Sequence, residues 1–420
     1  RPPSPPQNPA TGRFDARRVL FGDIDGDGLD DVVYVEPDRV TVWINQGGDG
    51  WSPPLVIDDT PAFPDIDAVR LVDLLGTGTA GILWTRNSPA RHQFLDLTGG
   101  VKPYLLREIT NNMGALTRIG YAPSTTFSLV DRQEPAAQPD PERPTRWQTP
   151  LPFPVQVVAR VEEIDEFSRT KHTTSYRYHH GYFDGAEREF RGFGRVDQVD
   201  TERTHAEFHK PGLHDDADGF DPVPQARFAP PLLTKTWFHL GPIGDEDGDA
   251  GARREADFSG EYWPLDRPFL ERPEATTQLL ETASARRAAA LRTLRGQAVR
   301  TETYALDGSA RQDRPFTVTE TQHGLREFAD APDAFFPHLV GHRTTEWERG
   351  EDPMTTFAFT LEYDEHGLPI HQVDLAVPRG RDFRRPAAAG APYLGPQTVP
   401  RHARRDDAAR YIVDRVASVT

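Results

Sequence analysis

An aspartate-rich run at residues 23–31 constrains the local fold more than any other feature of this chain. Its carboxylates stand at loop positions 1, 3, 5 and 9, namely Asp23, Asp25, Asp27 and Asp31. Gly28 at position 6 permits a sharp bend, so alternate side chains of the loop converge on one point. Calcium prefers about six to eight oxygen ligands. The spacing therefore predicts a structural calcium ion (Ca2+), bound by these carboxylates and by the backbone carbonyl of Leu29 at position 7.

The segments on either side of this loop indicate strands, not helices. Residues 19–21 precede it and residues 32–35 follow it, and both segments are rich in β-branched and aromatic side chains. An EF-hand would carry a glutamate at position 12, where this chain has Tyr34. The pattern is typical of the β-hairpin calcium loop of integrin-type FG-GAP repeats. The alternative is a metal-free polar turn, in which four carboxylates without a cation would repel one another.

The same order of segments recurs about fifty residues later. Residues 69–73 and 81–84 are strand-like, and a glycine-rich loop joins them. In this loop only Asp73 keeps an acidic side chain at a ligand position, so we interpret it as the same turn with the metal lost. Two copies at this period predict blades of a β-propeller, which needs about four to eight blades to close. We therefore expect an incomplete propeller over residues 1–95.

From about Lys102 onward the sequence changes to strand pairs that lack the aspartate loop. The predicted strands include residues 116–121, 153–161, 173–178, 196–200, 232–238, 297–304, 317–322 and 357–363, and the stretch 410–419 is also strand-like. Polar loops are predicted at residues 134–146, 215–221, 245–254 and 379–405. One stretch, 273–295, has apolar residues at helical spacing and predicts a single amphipathic helix against the sheet. The predicted fold class is thus all-β, with one helix.

The strand at 357–363 allows a prediction about side-chain direction. Successive residues of a strand point to opposite faces. One face is therefore expected to carry a buried apolar set, namely Phe357, Phe359, Leu361 and Tyr363. Thr360 and Glu362 are expected on the other face.

The overall charge and composition exclude several classes of function. The formal net charge is −17, and a chain this acidic is repelled by a phosphate backbone, so no nucleic-acid partner is expected. There is no cysteine, so disulfides and thiolate metal sites are excluded. No apolar run reaches the roughly 18 residues of a membrane helix, so no direct membrane insertion is expected. Only 36% of the residues are hydrophobic, which suits an extended β surface that meets water on both faces, or a chain with long polar loops. The chain begins at Arg1 and stops in a strand-like stretch, so we interpret it as part of a longer protein.

Three other acidic or histidine-rich segments are weaker candidates for a site. His179 and His180 could suggest zinc, but neighbours on a strand point apart, so side chains on a wet sheet are the favoured interpretation. Residues 187–191 could hold an acid–base pair, but an ion-paired strand or turn is favoured. Residues 247–249 lack the full ligand spacing and are interpreted as a solvated loop. The sequence contains no phosphate loop or nucleophile elbow, so no catalytic residue and no enzymatic activity are predicted.

Several longer runs resemble one family. They are residues 102–125, the Leu-Pro-Phe-Pro-Val run at 151–155, YRYHHGYFDGAEREFRGFG at 176–194, and residues 234–239 and 304–309. These runs resemble the middle region of the B components of bacterial insecticidal Tc (toxin complex) toxins and of their SpvB-like relatives. In addition, residues 363–367 have the Tyr-Asp-x-x-Gly form of an RHS (YD) repeat. The resemblance covers roughly residues 15–380, whereas residues 384–405 match the family poorly.

This resemblance implies a fold and a set of partners. The FG-GAP repeats would belong to a propeller that docks on the pore-forming A component and acts as a gate. Residues 96–420 would begin an RHS-type curved β-sheet shell, which encloses an effector together with the C component. The complex would be assembled in the bacterial cytoplasm and secreted. The ADP-ribosyltransferase of true SpvB proteins would lie outside this chain, so the resemblance implies no enzymatic activity.

Two functions from other classes remain as alternatives. An FG-GAP calcium-binding adhesin or carbohydrate-binding module would need a closed propeller with an exposed binding face, which two repeats do not supply. A toxin with its own catalytic domain would need a nucleophile or an acid–base constellation, and the sequence contains no recognisable one.

Overall fold

The structure is a computed structural model. It describes residues 16–61, 69–87, 90–133, 147–167, 170–200, 230–244, 253–282, 284–328, 330–384, 393, 395–407 and 410–420. The chain forms two compact units. The first comprises Arg1–Leu129 and Pro152–Ala159, and the second comprises Val130–Leu151 and Arg160–Thr420. The predicted loops at 134–146 and 215–221, and residues 247–249, lie outside the described residues.

The described residues are mostly β-structure. The strands are β1 Val19–Gly22, β2 Asp31–Val35, β3 Arg39–Trp43, β4 Leu55–Asp58, β5 Val69–Val72, β6 Gly81–Asn87, β7 Ala90–Leu95, β8 Glu108–Thr110, β9 Ala115–Pro123, β10 Gln156–Asp165, β11 Thr170–Asp184, β12 Glu189–Val199, β13 Leu232–Phe238, β14 Ala298–Ala305, β15 Thr317–Phe328, β16 Ala331–Glu346, β17 Met354–Tyr363, β18 Pro369–Val377, β19 Gln397–Thr398, β20 Pro400–Asp407 and β21 Arg410–Val419. The helices are α1 Ser124–Gln133, α2 Glu274–Leu280 and α3 Ser284–Thr293. None of these described helices is long and apolar enough to cross a membrane.

Two small antiparallel sheets form the repeats of the first unit. Strands β1 to β4 make one sheet in sequence order, and β5 to β7 make the other. Both repeats bury β-branched and aromatic side chains in one shared core, which consists of Ile24, Val33, Val35, Val40, Val42, Val69, Ile82 and Trp84. Strands β2 and β3 consist mainly of apolar residues, and most of their residues are buried.

The second unit is built on one open antiparallel sheet in which neighbours in sequence are also neighbours in space. From Arg160 of β10 onward the strand order runs through β11, β12 and so on to β19. Strands β20 and β21 form a separate hairpin. Helices α2 and α3 cover part of the open sheet. Their apolar residues Leu279, Leu280, Ala290 and Leu291, together with Leu294 directly after α3, pack with Leu325 and Phe335.

The fold corrects the all-β prediction and its single helix. The predicted helix at 273–295 is two helices, and α1 was not predicted at all. The break has a local cause: the Thr282 hydroxyl donates to the Leu279 carbonyl at 2.7 Å, and Arg287 Nε donates to the Leu280 carbonyl at 2.5 Å. These side chains occupy carbonyls that a continuing helix would use. The predicted loop at 379–405 is also wrong in part, since β19 and most of β20 lie inside it.

The predicted alternation along β17 fails from Thr360 onward. A register irregularity separates Thr360 from Glu362. It turns Leu361 to solvent, where it is 56% exposed, while Thr360 is buried. A bulge of this kind shifts the phase of every following side chain. Phe357 is buried as predicted.

Candidate functional site

The aspartate loop joins β1 to β2, whose ends meet where Gly22 pairs with Asp31. Gly26 and Gly28 have φ values of 82° and 93°, which residues with a side chain rarely adopt. These bends allow the Asp23 carboxylate to accept hydrogen bonds from the Gly26 amide at 2.6 Å and from the Gly28 amide at 3.0 Å. The first carboxylate of the loop therefore fixes its shape from within.

Three of the four predicted carboxylates come together. Asp23, Asp25 and Asp27 each offer an oxygen atom, and these atoms all lie within 4.8 Å of one another. Calcium–oxygen distances are about 2.3–2.6 Å, so oxygens on opposite sides of an ion are up to about 5 Å apart. The three side chains fit a shared cation, and their mutual repulsion would favour one. Tyr104 adds a neighbour, because its hydroxyl donates to Asp25 Oδ2 at 2.8 Å.

Asp31 lies apart from this trio and makes backbone contacts. Its Oδ2 accepts from the Ile24 amide and its Oδ1 accepts from the Asn45 amide, both at 2.8 Å. Burial raises the pKa of Asp31 above its usual range, and the charges of Asp25 and Asp23 add to the effect. The Leu29 amide donates to Asp27 Oδ1 at 2.7 Å. The roles of Asp31 and of the Leu29 carbonyl as calcium ligands stay predictions.

The second loop, at 73–80, has the same internal geometry with different side chains. The Asp73 carboxylate accepts from the Thr77 amide at 2.9 Å and from the Gly78 amide at 2.7 Å. Of the three missing carboxylates only one is replaced by a hydroxyl group, that of Thr77. Its Oγ1 lies 3.1 Å from Thr79 Oγ1, which lies 3.0 Å from Thr98 Oγ1. The hydroxyl groups of Thr77 and Thr98 donate to the carboxylates of Asp73 and Asp96. Hydroxyl donors to these carboxylates support the interpretation of the loop as the same turn with the metal lost.

The histidine pair lies in a buried polar cluster of the second unit, which corrects the prediction of a wet sheet. His179 Nδ1 is 2.7 Å from Asp131 Oδ2. His180 Nε2 is 2.6 Å from Glu261 Oε1, and its ring stacks on Phe258 with a centroid distance of 4.8 Å. Each ring contacts acidic side chains, and among the described residues no group of three or more possible metal ligands includes either histidine. The 187–191 segment is ion-paired as predicted, with Arg191 Nη1 2.5 Å from Glu189 and Arg292 2.8 Å from Glu187.

A larger set of buried charges was not predicted. Residues 253–273 form an irregular strap against the sheet of the second unit, held by contacts with one strand after another. At its start, Arg253 Nη1 donates to Asp184 of β11 at 2.5 Å. At its middle, Glu261 accepts from Arg195 of β12 at 3.0 Å and from Trp237 of β13 at 3.1 Å.

The second half of the strap uses acidic and basic side chains of β14, β15 and β16. The Trp263 amide donates to Glu302 at 2.9 Å, and the Phe269 amide donates to Glu320 at 2.9 Å. Asp266 is fully buried and accepts from Arg343 at 2.5 Å. The strap is therefore bound by a charged side chain on β11, β12, β14, β15 and β16, and by the Trp237 indole on β13.

The signal for this strap was present in the sequence as charged residues inside predicted strands. Arg300 and Glu302 lie within the predicted strand 297–304, and both are almost completely buried. Buried charges in proteins are nearly always paired. Period-two patterns give only the direction of a side chain, so the partner in a distant irregular segment could not be identified.

Comparison with known proteins relates this architecture to one family. Residues 45–210 match the family described as the insecticide toxin TcdB middle/N-terminal region. Residues 289–412 match the family described as the insecticide toxin TcdB middle/C-terminal region. Among curated proteins, none matches the chain significantly.

Solved structures share the fold over almost the whole chain. A crystal structure of TcdB2–TccC3 matches with a TM-score of 0.71 and 25% identity, covering 97% of this chain and 20% of that chain. A Photorhabdus luminescens Tc holotoxin pore that carries a TccC3 mutation matches with a TM-score of 0.70 and 26% identity, covering 97% and 19%. TcdB2–TccC3 without its hypervariable C-terminal region gives a TM-score of 0.71, 26% identity and the same coverage. This chain thus spans about a fifth of the length of these relatives.

Proposed function

The chain belongs to the insecticide toxin TcdB family, and on that premise we propose that it is a non-catalytic structural part of the B component of a secreted bacterial Tc toxin complex. The observation that carries this proposal is the match to TcdB2 over 97% of the chain. The two family matches, which rest on the amino-acid sequence, support it separately. The broad open sheet, crossed by a strap of buried charges, also suits a scaffold.

The proposed partners are a C component and a pore-forming A component. The similar structures contain TccC3, and one of them is a holotoxin pore. In this function the second unit contributes to a curved shell of the RHS type, which encloses an effector together with the C component. The hydrophobic content of 36% supports a wall that meets water on both faces. Residues 96–420 are assigned to this shell.

Residues 1–95 are assigned to an FG-GAP propeller that docks on the A component and acts as a gate. The matching geometry of the loops at Asp23 and Asp73 supports two successive blades. In the first blade a structural calcium ion would be held by Asp23, Asp25 and Asp27, with Leu29 and Asp31 as the further predicted ligands. When bound, the ion would neutralise the carboxylates and stiffen the hairpin.

Calcium binding can be tested by isothermal titration calorimetry of the 420-residue chain. We expect the Asp25→Ala variant to lose calcium uptake, because one of the three clustered carboxylates is removed. Asp73→Ala is the matched control in the second loop and should bind as the wild type does. Equal uptake by the wild type and Asp25→Ala would refute the site.

The structural function can be tested by effector protection. The protein is co-expressed with a C component, the complex is purified, and the effector is exposed to protease. We expect an intact complex in which the effector resists cleavage. Asp266→Ala should reduce this protection because it breaks the strap, whereas Glu351→Ala, at a side chain 90% exposed, should not. Failure of the two components to co-purify, or an effector that is cleaved as fast as in the absence of the protein, would refute the proposal.

A further inference from the structure

The open sheet of the second unit carries rows of threonine side chains on the face opposite the strap. Strands β13, β14 and β15 each contain a Thr-x-Thr pair. The strand registers place these pairs side by side, because Thr236 pairs with Thr301 and Thr301 pairs with Thr319. Thr319 pairs in turn with Thr344 of β16, which pairs with Thr356 of β17. A row of threonines therefore crosses the neighbouring strands β13 to β17.

A second row runs beside the first, two residues away on each strand. It consists of Thr234, Thr303 and Thr317, which also pair directly with one another. Successive residues of a strand point to opposite faces. Arg300 and Glu320 stand next to threonines of the first row, and they bind the Asp266 carbonyl and the Phe269 amide of the strap. The two rows, which we call the threonine face, therefore point away from the strap.

The hydroxyl groups of the threonine face can bind a further molecule. Thr356 is exposed, and the other threonines of the two rows are half-buried among their neighbours. Thr236 Oγ1 lies 3.4 Å from Thr301 Oγ1, and Thr319 Oγ1 lies 3.5 Å from Thr344 Oγ1. Hydroxyl hydrogen bonds are usually about 2.7–2.8 Å long, so these contacts are weak. Each hydroxyl group keeps most of its capacity to donate and to accept.

The threonine face is uncharged on strands β13 to β15, although the chain has a net charge of −17. Glu346, which pairs with Thr317, ends the second row with a negative charge at β16. A charged wall attracts molecules of one sign and repels those of the other. A wall of large apolar side chains binds an unfolded polypeptide by burying its apolar surface. A hydroxyl group exchanges a bond with water for a bond with a ligand at little net gain, so this face fits a polypeptide of either charge without holding it tightly.

We propose that the threonine face lines the inside of the shell and lies against the enclosed effector polypeptide. This inference rests on the proposed function, in which the second unit is part of a wall around an effector. Each residue of a polypeptide other than proline carries a backbone donor and a backbone acceptor, and threonine hydroxyl groups can bind both. The strap occupies the opposite face. On the inside of the shell, the strap would take up room that the effector needs.

Photo-crosslinking in the complex of the 420-residue chain with a C component tests which face meets the effector. A benzophenone amino acid replaces either Thr356 of the threonine face or Leu265, which is 63% exposed on the strap. We expect irradiation to join position 356 to the effector, whereas position 265 should give no effector product. The yield from position 356 should be the same at low and at high salt, because salt screens charged contacts and not uncharged ones.

Cysteine labelling gives a second readout that needs only a small substitution. The chain contains no cysteine, so Thr356→Cys and Leu265→Cys each introduce a single thiol. Both thiols should react with a maleimide on a bulky polyethylene glycol chain when the protein is alone. In the complex we expect Thr356→Cys to lose this reactivity and Leu265→Cys to keep it.

The outcomes distinguish a wrong face from a wrong function. If the two components do not co-purify, or if the effector is not protected from protease, the proposed function fails and the threonine face has no effector to contact. If the effector is protected but is cross-linked from position 265 and not from position 356, the function stands and the threonine face is not the inner wall. Full reactivity of Thr356→Cys in the complex would lead to the same conclusion. A yield from position 356 that falls with salt would overturn the assignment of an uncharged contact.

Discussion

Asp266 is the acidic residue on which the second half of the strap depends, and its removal gives the sharpest test of the buried charge network. The side chain is fully buried and accepts from Arg343 at 2.5 Å and from the Trp347 indole at 2.8 Å. Arg300 Nη1 lies 3.6 Å away and is also buried. Asp266→Ala would leave both arginines in the interior with fewer acceptors.

The expected loss of stability follows from this burial. Removing one partner of a buried ion pair costs about 3–5 kcal/mol, because the other charge stays buried without compensation. Arg343 keeps Glu320 at 2.9 Å, and Arg300 keeps Glu302 at 2.6 Å, so the loss should lie near the lower end of this range. Domains of ordinary size have unfolding free energies of about 5–15 kcal/mol. A loss of about 3 kcal/mol is therefore a large fraction of the total.

Urea unfolding followed by tryptophan fluorescence is a direct assay, because Trp263 and Trp347 lie next to the network with ring centroids 4.8 Å apart. The control is Glu351→Ala, whose carboxylate lies 3.7 Å from Arg314 and is 90% exposed. Exposed pairs contribute about 0–1 kcal/mol. The reasoning is wrong if Asp266→Ala loses no more unfolding free energy than Glu351→Ala.

Three further predictions concern packing and pH. Phe357→Ala should lower the free energy of unfolding, measured in urea, by about 3–5 kcal/mol because the ring is buried. Leu361→Ala, at the exposed bulge, should change the free energy of unfolding by less than about 0.5 kcal/mol. Gly194→Ala should cost about 1–3 kcal/mol, since a Cβ there would lie 2.4 Å from an aromatic ring, and Gly185→Ala, with open space around it, is the control. Burial by itself would raise the pKa of Glu261, but its partners His180 and Arg195 outweigh burial and lower the pKa to about 2. The ionised Glu261 therefore stabilises the fold fully above about pH 4.5, and this stabilisation should be lost as the pH falls towards 2. Glu261→Gln should flatten that dependence between about pH 5 and about pH 3, and an unchanged slope would contradict the assignment.

The sequence predicted the features whose interacting residues lie close together in the chain. The apolar run at 32–35 corresponds to β2, which is mostly buried, and the Leu-, Thr- and aromatic-rich run at 232–238 corresponds to β13. The loop at Asp23 was also accessible, since its side chains and the amides that bind them lie within a few residues. In both cases the interacting groups lie close together in the sequence, so residue spacing alone is enough to predict the feature.

The features that were missed depend on partners far away in the sequence. His179 meets Asp131 across 48 positions, and Asp266 meets Arg343 across 77. Spacing along one segment cannot indicate such a partner. The bulge at Leu361 and the break between α2 and α3 were missed for a different reason, because the apolar pattern of each segment continues smoothly through the irregularity.

The buried charges of the strap help to explain how so open a sheet can keep one arrangement. An apolar strap could slide along the sheet with little change in energy, because the hydrophobic effect has no direction. The polar contacts of this strap join particular residues: Glu261 binds Arg195, Asp266 binds Arg343, and the Phe269 amide binds Glu320. A shift by one residue would leave several buried charges unpaired at once, each costing several kcal/mol. The charged contacts of the strap therefore destabilise wrong registers more than they stabilise the correct one. Replacing one member of a charged pair should lower the free energy of unfolding more than replacing the whole pair by apolar residues.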